Sequence, residues 1–377
     1  LKFILITGGK GEKSMTEREK QIVNLIKENP LITQEEIAAK LNCARTSIAV
    51  HISNLMKKGV ILGKKYIINE DPYILTIGGT NVDIQGKSYT NVIRYDSNPG
   101  MIGISFGGVG KNVAENISRL GISSKLITAL GDDFYGNGIR EYLKNQNLDI
   151  SDILFLKNQS TSMYLSILND DKEMEMAISS MDICKNITPK YLDSIRKRIV
   201  NSKIIVLDTN LEEETLRYLA FLRRKPPLIL DTVSTKKAIK VKDFIGRFHT
   251  IKPNRIEAEI LSGISIFSKD DMKRAGDYFL NKGVKKVFIS LGSDGVFYMT
   301  ENEAETIKIP RINPASSTGA GDAFVAGIAY GEYHDYSIKE ATKIGLGAGI
   351  LTSLSDKTVS DQMNIKNVEN IIKEMEI

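Results

Sequence analysis

The spacing of apolar residues between residues 15 and 57 predicts three amphipathic helices. Thr16 can cap the first helix, and Thr33 with Glu36 forms a T-x-x-E arrangement that is typical of a helix start. The third helix runs from about Ala44 to Lys57. An apolar run interrupted by a glycine and two lysines, VILGKKYII, follows and predicts a β-hairpin. These elements indicate a small N-terminal domain.

The pattern changes after the polar break NEDP, where short apolar runs begin to alternate with helical stretches. The runs are YILTIGG, SKLITALG, KIIVLD, PLILDTV, TIKPN and KKVFISLG. Because each run is linked to a helical stretch, we predict an α/β fold with a doubly wound, mostly parallel sheet that is covered on both faces. Ligands of such domains bind at the carboxyl ends of the strands, so the motifs found there are the candidates for function.

The first 14 residues, LKFILITGGKGEKS, fit neither pattern. Their apolar stretch lacks the length and the cleavage site of a secretory signal. Because the residues from Lys10 onwards back-translate to a purine-rich stretch similar to a ribosome-binding site, we hypothesise that native translation starts at Met15 and that residues 1–14 are an extension. Sequencing the N-terminus of the native protein tests this hypothesis. We place the domains at residues 15–70 and 73–377.

The composition is that of a globular protein, with 42% apolar and 26% charged residues. No apolar run approaches the length that spans a bilayer, which argues against a membrane protein. The two cysteines, Cys43 and Cys184, match no metal-ligand spacing. They argue against structural zinc and favour a reducing cytoplasm.

The net charge of +5 comes from the N-terminal part of the chain. Residues 1–70 hold 12 Lys/Arg and 7 Asp/Glu, whereas the remainder holds 39 residues of each kind. Three helices followed by a basic hairpin resemble a winged helix-turn-helix, whose third helix enters the major groove of DNA and whose wing contacts phosphates. The resemblance implies base-edge contacts by Arg45, Thr46, Ser47 and His51, and phosphate contacts by Lys57, Lys58, Lys64 and Lys65. A dimerisation or docking module with solvated lysines is the alternative interpretation.

Two motifs early in the large domain carry residues suited to binding a polyol. In GGTNVDI, Asn81 and Asp83 follow the opening strand and can hydrogen-bond neighbouring hydroxyls, although an aspartate at a strand end is commonly a cap. In GGVGKNVAENISRLG, Gly107 and Gly108 begin a glycine-rich turn before Asn112 and a helix. Glycines permit close approach of a ligand to the backbone. The spacing does not fit a dinucleotide-binding loop.

Two later motifs suit a nucleotide and its metal ion. In KPNRIEAEILSG, Asn254 and Glu257 lie at a strand-to-helix junction, where an amide and a carboxylate can hold the water shell of Mg²⁺. The alternative is that N-x-x-E is only a helix capping box. In ISLGSDGVFY, a strand ends at Gly292 in a turn that either carries a nucleotide on its backbone or is merely a turn.

The stretch SSTGAGDAFVAG combines an anion-binding backbone with a carboxylate. Gly319, Ala320 and Gly321 would direct successive N–H groups into one concavity at a helix start, where the partial positive charge favours an anion. Asp322 follows them and can accept the proton of an attacking hydroxyl in phosphoryl transfer. G-A-G-D alone is also compatible with an ordinary turn, so this interpretation depends on the other motifs.

In this order, NVD, GGVGKN, N-x-x-E and GAGD resemble the PfkB or ribokinase-like family of sugar and nucleoside kinases, over roughly residues 73–370. The resemblance implies a ribokinase-like fold that uses MgATP to phosphorylate a primary hydroxyl. It implies that Asp322 is the catalytic base and that Gly319, Ala320 and Gly321 form the anion hole. It further implies that Asn254 and Glu257 lie at magnesium and phosphate, and that the sugar is bound by Asn81, Asp83, Gly108 and Asn112.

Three stretches look like those of the pseudouridine kinases within that family: YDSNPGMIGISFGGVGKNVAENISRLG, TSMYLSILNDDKEMEMAISSMDI and LILDTVSTKKA. The resemblance implies phosphorylation of the 5′-hydroxyl of pseudouridine. Family members project a small β lid over the sugar, which excludes water when it closes. Residues near 84–105 and 160–179 have the alternating pattern to build this lid. In many relatives the lids also pair two subunits, which implies a homodimer.

One departure from the family pattern precedes the glycines. Family members usually have D-T there, whereas this chain has Ser316 and Ser317. The acidic residue is associated with a monovalent-cation site in relatives, so potassium activation is in doubt. Two alternatives to a pseudouridine kinase are a kinase for another nucleoside or ribose, and a transcriptional regulator that only senses a nucleoside. The intact G-A-G-D motif argues against the sensor.

Overall fold

A computed structural model of the chain describes residues 15–29, 32–61, 72–169 and 174–377. The contacts divide the chain into two compact units, Leu1–Asp71 and Pro72–Ile377. Each unit has a hydrophobic core of its own.

The N-terminal unit contains three helices in the part that the structure describes: α1 (Glu17–Glu28), α2 (Gln34–Lys40) and α3 (Arg45–Lys57). Capping boxes at Thr16 and Thr33 start α1 and α2, which confirms both predicted caps. The core of the unit is built by apolar residues on the facing sides of the helices, among them Ile22, Ile26, Ile37, Ile48 and Leu55. The predicted hairpin around Gly63 lies outside the described residues.

Strands make up the centre of the C-terminal unit. In chain order they are β1 (Ile74–Ile77), β2 (Asn81–Ser88), β3 (Gly100–Gly107), β4 (Ser124–Ile127), β5 (Ala129–Gly131), β6 (Leu148–Asp149), β7 (Leu154–Leu156), β8 (Met163–Leu168), β9 (Met174–Ser180), β10 (Ile204–Asp208), β11 (Leu228–Asp231), β12 (Thr250–Lys252), β13 (Lys286–Ser290), β14 (Val296–Met299) and β15 (Ala304–Ile307). Nine of these described strands form one sheet in the order β15-β14-β13-β12-β11-β10-β1-β4-β6. Its strands pair in parallel except at one edge, where β14 and β15 are antiparallel. The predicted mostly parallel sheet is confirmed.

Helices cover both faces of this sheet. They are α4 (Val109–Arg119), α5 (Phe134–Lys144), α6 (Pro189–Ser194), α7 (Arg196–Asn201), α8 (Glu213–Phe221), α9 (Thr235–Ala238), α10 (Arg255–Ser262), α11 (Lys269–Lys282), α12 (Ala320–Tyr333), α13 (Ile338–Ser353) and α14 (Ile365–Glu374). Side chains alternate along a strand, so Leu75 belongs to a core on one face that includes Leu216 of α8, and Ile74 belongs to a core on the other face that includes Phe324 of α12. Within the described ranges, no helix is long and apolar enough to cross a membrane.

A second, smaller sheet is formed by β3, β2, β8 and β9 in this spatial order. Ile84 on β2 lies opposite Ile104 on β3 and opposite Leu165 on β8, and Leu165 lies opposite Ile178 on β9. Paired residues share a face of a sheet, so these side chains form one apolar face. Ile104 is 56% exposed, Ile178 is 59% exposed, and Ile102 on the same face is 76% exposed. We call this surface the apolar face of the small sheet.

Candidate active site

A helix start with unbonded amides lies at one end of α12. Gly319 precedes the helix with φ of 87°, a conformation that favours glycine. A Cβ atom on Gly319 would lie only 2.1 Å from the carbonyl oxygen of Thr358, so a side chain would not fit. The amides of Ala320, Gly321 and Asp322 have no hydrogen-bond acceptor among the described residues. Together with the positive end of the helix, these amides can bind an anion.

The carboxylate of Asp322 lies in the first turn of the same helix. Its Oδ2 accepts a hydrogen bond of 2.8 Å from Nδ2 of Asn112. The side chain keeps some exposed surface, although protein atoms surround it densely. Burial raises the pKa of Asp322 to about 7, the carboxylate of Asp231 acts in the same direction, and the bond from Asn112 opposes both. A carboxyl group with this pKa can accept a proton near neutral pH.

Asn112 was predicted to bind a sugar, and the structure directs its amide nitrogen to Asp322. Its Oδ1 is buried and has no hydrogen-bond partner among the described residues. Asn112 is 4% exposed, so this oxygen is a buried hydrogen-bond acceptor without a donor in the described part of the chain. A hydroxyl group of a ligand beside Asp322 could donate to it.

Three charged residues that the sequence analysis did not single out lie near Asp322. Asp208 ends β10, Asp231 ends β11 and Lys252 ends β12. The parallel register places Asp208 opposite Asp231 and Asp231 opposite Lys252, so the three form a row at the carboxyl edge of the sheet. The repeated L-D-T at the ends of two apolar runs was the available signal.

Backbone amides fix the two carboxylates of this row. Oδ2 of Asp208 accepts from the amide of Gly79 at 2.8 Å, and Oδ1 of Asp231 accepts from the amide of Val233 at 2.8 Å. Val233 has φ of 57°, which is unfavourable for a β-branched residue. Burial raises the pKa of Asp208. Lys252 donates to Oδ2 of Asp231 at 3.1 Å.

The predicted sugar-binding residues meet where β2 begins and β3 ends. Nδ2 of Asn81 donates to Oδ1 of Asp83 at 2.6 Å. A Cβ atom on Gly107 would lie 1.9 Å from Oδ2 of Asp83, and one on Gly108 would lie 2.6 Å from the carbonyl oxygen of Gly79. Gly108 is therefore needed for close packing of the backbone, whereas the contact at Gly107 is with the end of the Asp83 side chain. Burial raises the pKa of Asp83, against the opposing effects of Asn81 and Lys111.

Asn254 and Glu257 form the capping box of α10, which was the alternative interpretation of N-x-x-E. Nδ2 of Asn254 donates to Oε1 of Glu257 at 2.8 Å, and the hydroxyl of Thr232 donates to Oε2 at 2.6 Å. In the described part of the chain, no group of three or more His, Cys, Asp or Glu side chains could hold a metal ion directly. Glu257 is 3% exposed and both of its carboxylate oxygens accept hydrogen bonds from the protein, so a Mg²⁺ near it would be held through bound water molecules. The magnesium role stays a prediction.

A cavity of about 700 Å³ opens beside the start of α12. Its wall includes Lys252, Gly292, Gly321, Phe324, Ile350 and Ser353. A second cavity of about 640 Å³ adjoins it and shares Ser290 and Gly292. Gly292, the predicted nucleotide-binding residue, has φ of 62° and lies at the boundary of the two cavities.

The predicted DNA-binding residues lie at the start of α3. Arg45, Thr46 and Ser47 are exposed, and His51 is partly buried. Nε of Arg45 forms an exposed ion pair of 2.8 Å with Glu35. Lys64 and Lys65 lie outside the described residues.

Lys58, which was expected to contact phosphates, lies beside a buried carboxylate. Its Nζ lies 2.7 Å from the buried carboxylate of Glu19 on α1, so it connects two helices of the N-terminal unit.

Ser316 stands where relatives of the family usually have an acidic residue, before Gly319. Its hydroxyl accepts a hydrogen bond of 3.1 Å from the amide of Thr318.

Comparisons with known proteins cover both units. A family model described as pfkB family carbohydrate kinase matches residues 71–363, and one described as winged helix-turn-helix DNA-binding matches residues 15–61. The uncharacterised sugar kinase YeiI of Escherichia coli is 34% identical over 360 residues, which cover 95% of this chain and 99% of that protein. The pseudouridine kinase of Escherichia coli is 34% identical over 310 residues, which cover 82% of this chain and 99% of that protein. A crystal structure from Clostridium perfringens, described as a candidate sugar kinase, is 38% identical with a TM-score of 0.74, covering 81% of this chain and 97% of that one.

Proposed function

Because the chain belongs to the pfkB family of carbohydrate kinases, we propose that it transfers the γ-phosphoryl group of MgATP to the 5′-hydroxyl of pseudouridine. The products are pseudouridine 5′-phosphate and ADP. One observation carries the proposal: Asp322 lies in the first turn of α12, beside amides that have no acceptor within the described ranges. A hydroxyl group bound there would meet a proton acceptor and an anion-binding backbone together.

The proposed mechanism uses residues of this chain for each step. Asp322 accepts the proton of the 5′-hydroxyl as its oxygen attacks the γ-phosphorus, and the amides of Ala320 and Gly321 stabilise the charge on the transferred group. Asn112 orients the carboxylate through its 2.8 Å bond. Asn254 and Glu257 would hold hydrated magnesium, which neutralises phosphate charge when bound.

Pseudouridine is proposed as the acceptor because of the 34% identity to the pseudouridine kinase of Escherichia coli over nearly all of that protein. The sugar kinase YeiI has the same identity over a longer range, so another nucleoside or a ribose-type sugar is the alternative acceptor. A panel of pseudouridine, uridine, inosine, adenosine, ribose and fructose with MgATP tests the proposal. Faster turnover of another acceptor than of pseudouridine would overturn it. Running the panel in sodium and in potassium salts tests cation dependence.

We further propose that the N-terminal unit binds DNA, with Arg45, Thr46 and Ser47 near base edges. The proposal is supported by the family model over residues 15–61, by the exposure of these side chains and by the excess positive charge. A nucleoside-sensing transcriptional regulator is the second candidate function. Because the proposed reaction consumes MgATP, the cytoplasm is the proposed location.

The apolar face of the small sheet supports the proposal of a homodimer. Ile102, Ile104 and Ile178 expose more than half of their surface on one side of the small sheet, and contact with a second copy would bury them. Ile104→Lys places a charge on this face and is expected to give a monomer in analytical ultracentrifugation. Val50 on α3, which is 59% exposed in the other unit, provides the control variant Val50→Lys. Unchanged sedimentation of both variants as dimers would contradict the role of the face.

A further inference from the structure

Lys252 lies between the carboxyl edge of the large sheet and the start of α12. The residue is 8% exposed, and it lines the cavity of about 700 Å³. A Cβ atom on Gly321 would lie 3.4 Å from its Nζ. The ammonium group is therefore beside the amides that can bind an anion.

Asp231 holds this ammonium group in place. Nζ of Lys252 lies 3.1 Å from Oδ2 of Asp231, and Asp231 is 3% exposed. The other oxygen of Asp231 accepts from the amide of Val233, so the carboxylate cannot rotate without losing a bond. A buried ammonium is unfavourable without such a partner.

The hydrogen-bonding capacity of Lys252 is not used up by this pair. An ammonium group has three donors, and among the described residues Oδ2 of Asp231 is its one hydrogen-bond acceptor. The remaining donors are next to a cavity whose wall includes Gly321. Although burial opposes the charged form, Asp231, Glu257 and Asp322 raise the pKa of Lys252, so the group is a cation throughout the working range of pH.

Resting on the proposed kinase function, we propose that Lys252, positioned by Asp231, contacts the γ-phosphate of the nucleotide and stabilises the phosphoryl group during transfer. The bond between the γ-phosphorus and the bridging oxygen breaks, and its electron pair leaves with ADP. The bond from the acceptor oxygen to phosphorus forms, and the hydroxyl proton goes to Asp322. Lys252 keeps its protons throughout and supplies a fixed positive charge.

A second effect of Lys252 acts on the proposed base. Its charge lowers the pKa of Asp322 and so opposes the effect of burial. Loss of the charge would raise the pH at which Asp322 ionises. This effect reports the positive charge of Lys252 near Asp322, whereas contact with the γ-phosphate is reported by the nucleotide affinities.

The test compares Lys252→Met with the double variant Lys252→Met/Asp231→Asn in the full chain. The single variant leaves a buried carboxylate without its cation, whereas the double variant removes both charges. Lys286→Met is the matched control, since Nζ of Lys286 lies 3.7 Å from the buried Glu332 in an ion pair away from the cavity. Calorimetry with Mg²⁺ measures the affinities for ADP and for a non-hydrolysable ATP analogue with an imido bridge.

We expect both Lys252 variants to lose about tenfold or more of affinity for the ATP analogue, with little change for ADP. We expect turnover of both variants to fall by about 100-fold. The acid limb of the pH profile should move upwards in Lys252→Met alone, because the double variant also removes the carboxylate that raises the pKa of Asp322. Wild-type turnover in the double variant would show that Lys252 only neutralises Asp231, and this would overturn the inference. Equal losses for ADP and for the analogue in a folded variant would also overturn it.

The nucleotide measurements separate this inference from the proposed function. If the wild-type protein phosphorylates none of the acceptors, the proposed kinase function is wrong. The ratio of the two nucleotide affinities still decides whether Lys252 contacts the γ-phosphate.

Discussion

Asp322 is the residue whose protonation controls the proposed reaction. Burial raises its pKa to about 7, and a protonated carboxyl group cannot accept the proton of the acceptor hydroxyl. We therefore expect kcat/KM to fall as the pH decreases below about 7. Initial rates measured from about pH 5 to about pH 9 check this. Asn112→Ala removes a bond that lowers the pKa, so its acid limb should lie at higher pH, and a profile that is flat down to about pH 5 would contradict the assignment.

Asp322→Asn is expected to reduce turnover by a factor of about 10²–10⁴, because the proton acceptor is lost while the shape of the site is kept. Binding of the nucleoside, measured by calorimetry, should persist. Asp277→Asn on the exposed surface of α11 is the matched control. Near-normal turnover of Asp322→Asn would mean that another group is the base.

The same substitution also has an expected effect on stability. The pKa of Asp322 is about 7 in the folded protein and 3.8 in its ordinary state, so folding is opposed by ionisation as the pH rises through this interval. Asparagine is neutral at every pH. Asp322→Asn should therefore raise the melting temperature at pH values above about 7, and the gain should shrink as the pH falls towards about 4. Thermal unfolding at several pH values checks this, and a gain that grows towards acid pH would contradict it.

Among the individual site residues, Asp322 and Asn112 were predicted from the sequence, whereas Asp208, Asp231 and Lys252 were not. Asp322 follows glycines in a motif, which is a local signal. Each of the other three is a single charged residue after an apolar run, and many such residues are only caps. The register of β10, β11 and β12 brings them together, and pairing between distant strands is not written in local spacing.

Among the secondary-structure elements, the turn before α12 permits a sharp test. Gly319→Ala places a Cβ atom 2.1 Å from the carbonyl oxygen of Thr358 and forces a side chain into φ of 87°. Gly263→Ala is the control, because Gly263 has φ of 75° with no atom within 4 Å of the added Cβ. We expect the control to cost about 1–2 kcal/mol of unfolding free energy and Gly319→Ala to cost more, with weaker nucleotide binding. Denaturant unfolding checks this, and equal costs would contradict the packing argument.

Helix starts were predicted well because their signals are local. Thr16 and Thr33 form the caps that the sequence indicated, and α3 begins at Arg45, directly after the predicted Ala44. Positive φ at Val233 could not be predicted, since valine gives no sign of it. That conformation is imposed by the surrounding loop and by the bond from its amide to Asp231.

For the whole molecule, the division into Leu1–Asp71 and Pro72–Ile377 leads to a prediction about independent units. Because each unit has its own core, residues 72–377 alone should keep kinase activity and lose salt-sensitive retention on DNA. Activity assays and binding to immobilised DNA at increasing salt compare this piece with the full chain. Equal retention of both proteins would show that the N-terminal unit is not the DNA-binding part.

The alignment of Asp208, Asp231 and Lys252 also depends on every one of three strands being in its correct register. A slip of one residue in β11 would exchange the two faces of this buried strand and move Asp231 out of line with Asp208 and Lys252. Such a chain could still collapse and show ordinary helix content, yet it would lack the charged row. The turnover recovered after refolding would therefore measure the fraction of correctly assembled molecules. Circular dichroism would measure the helix content of all compact molecules.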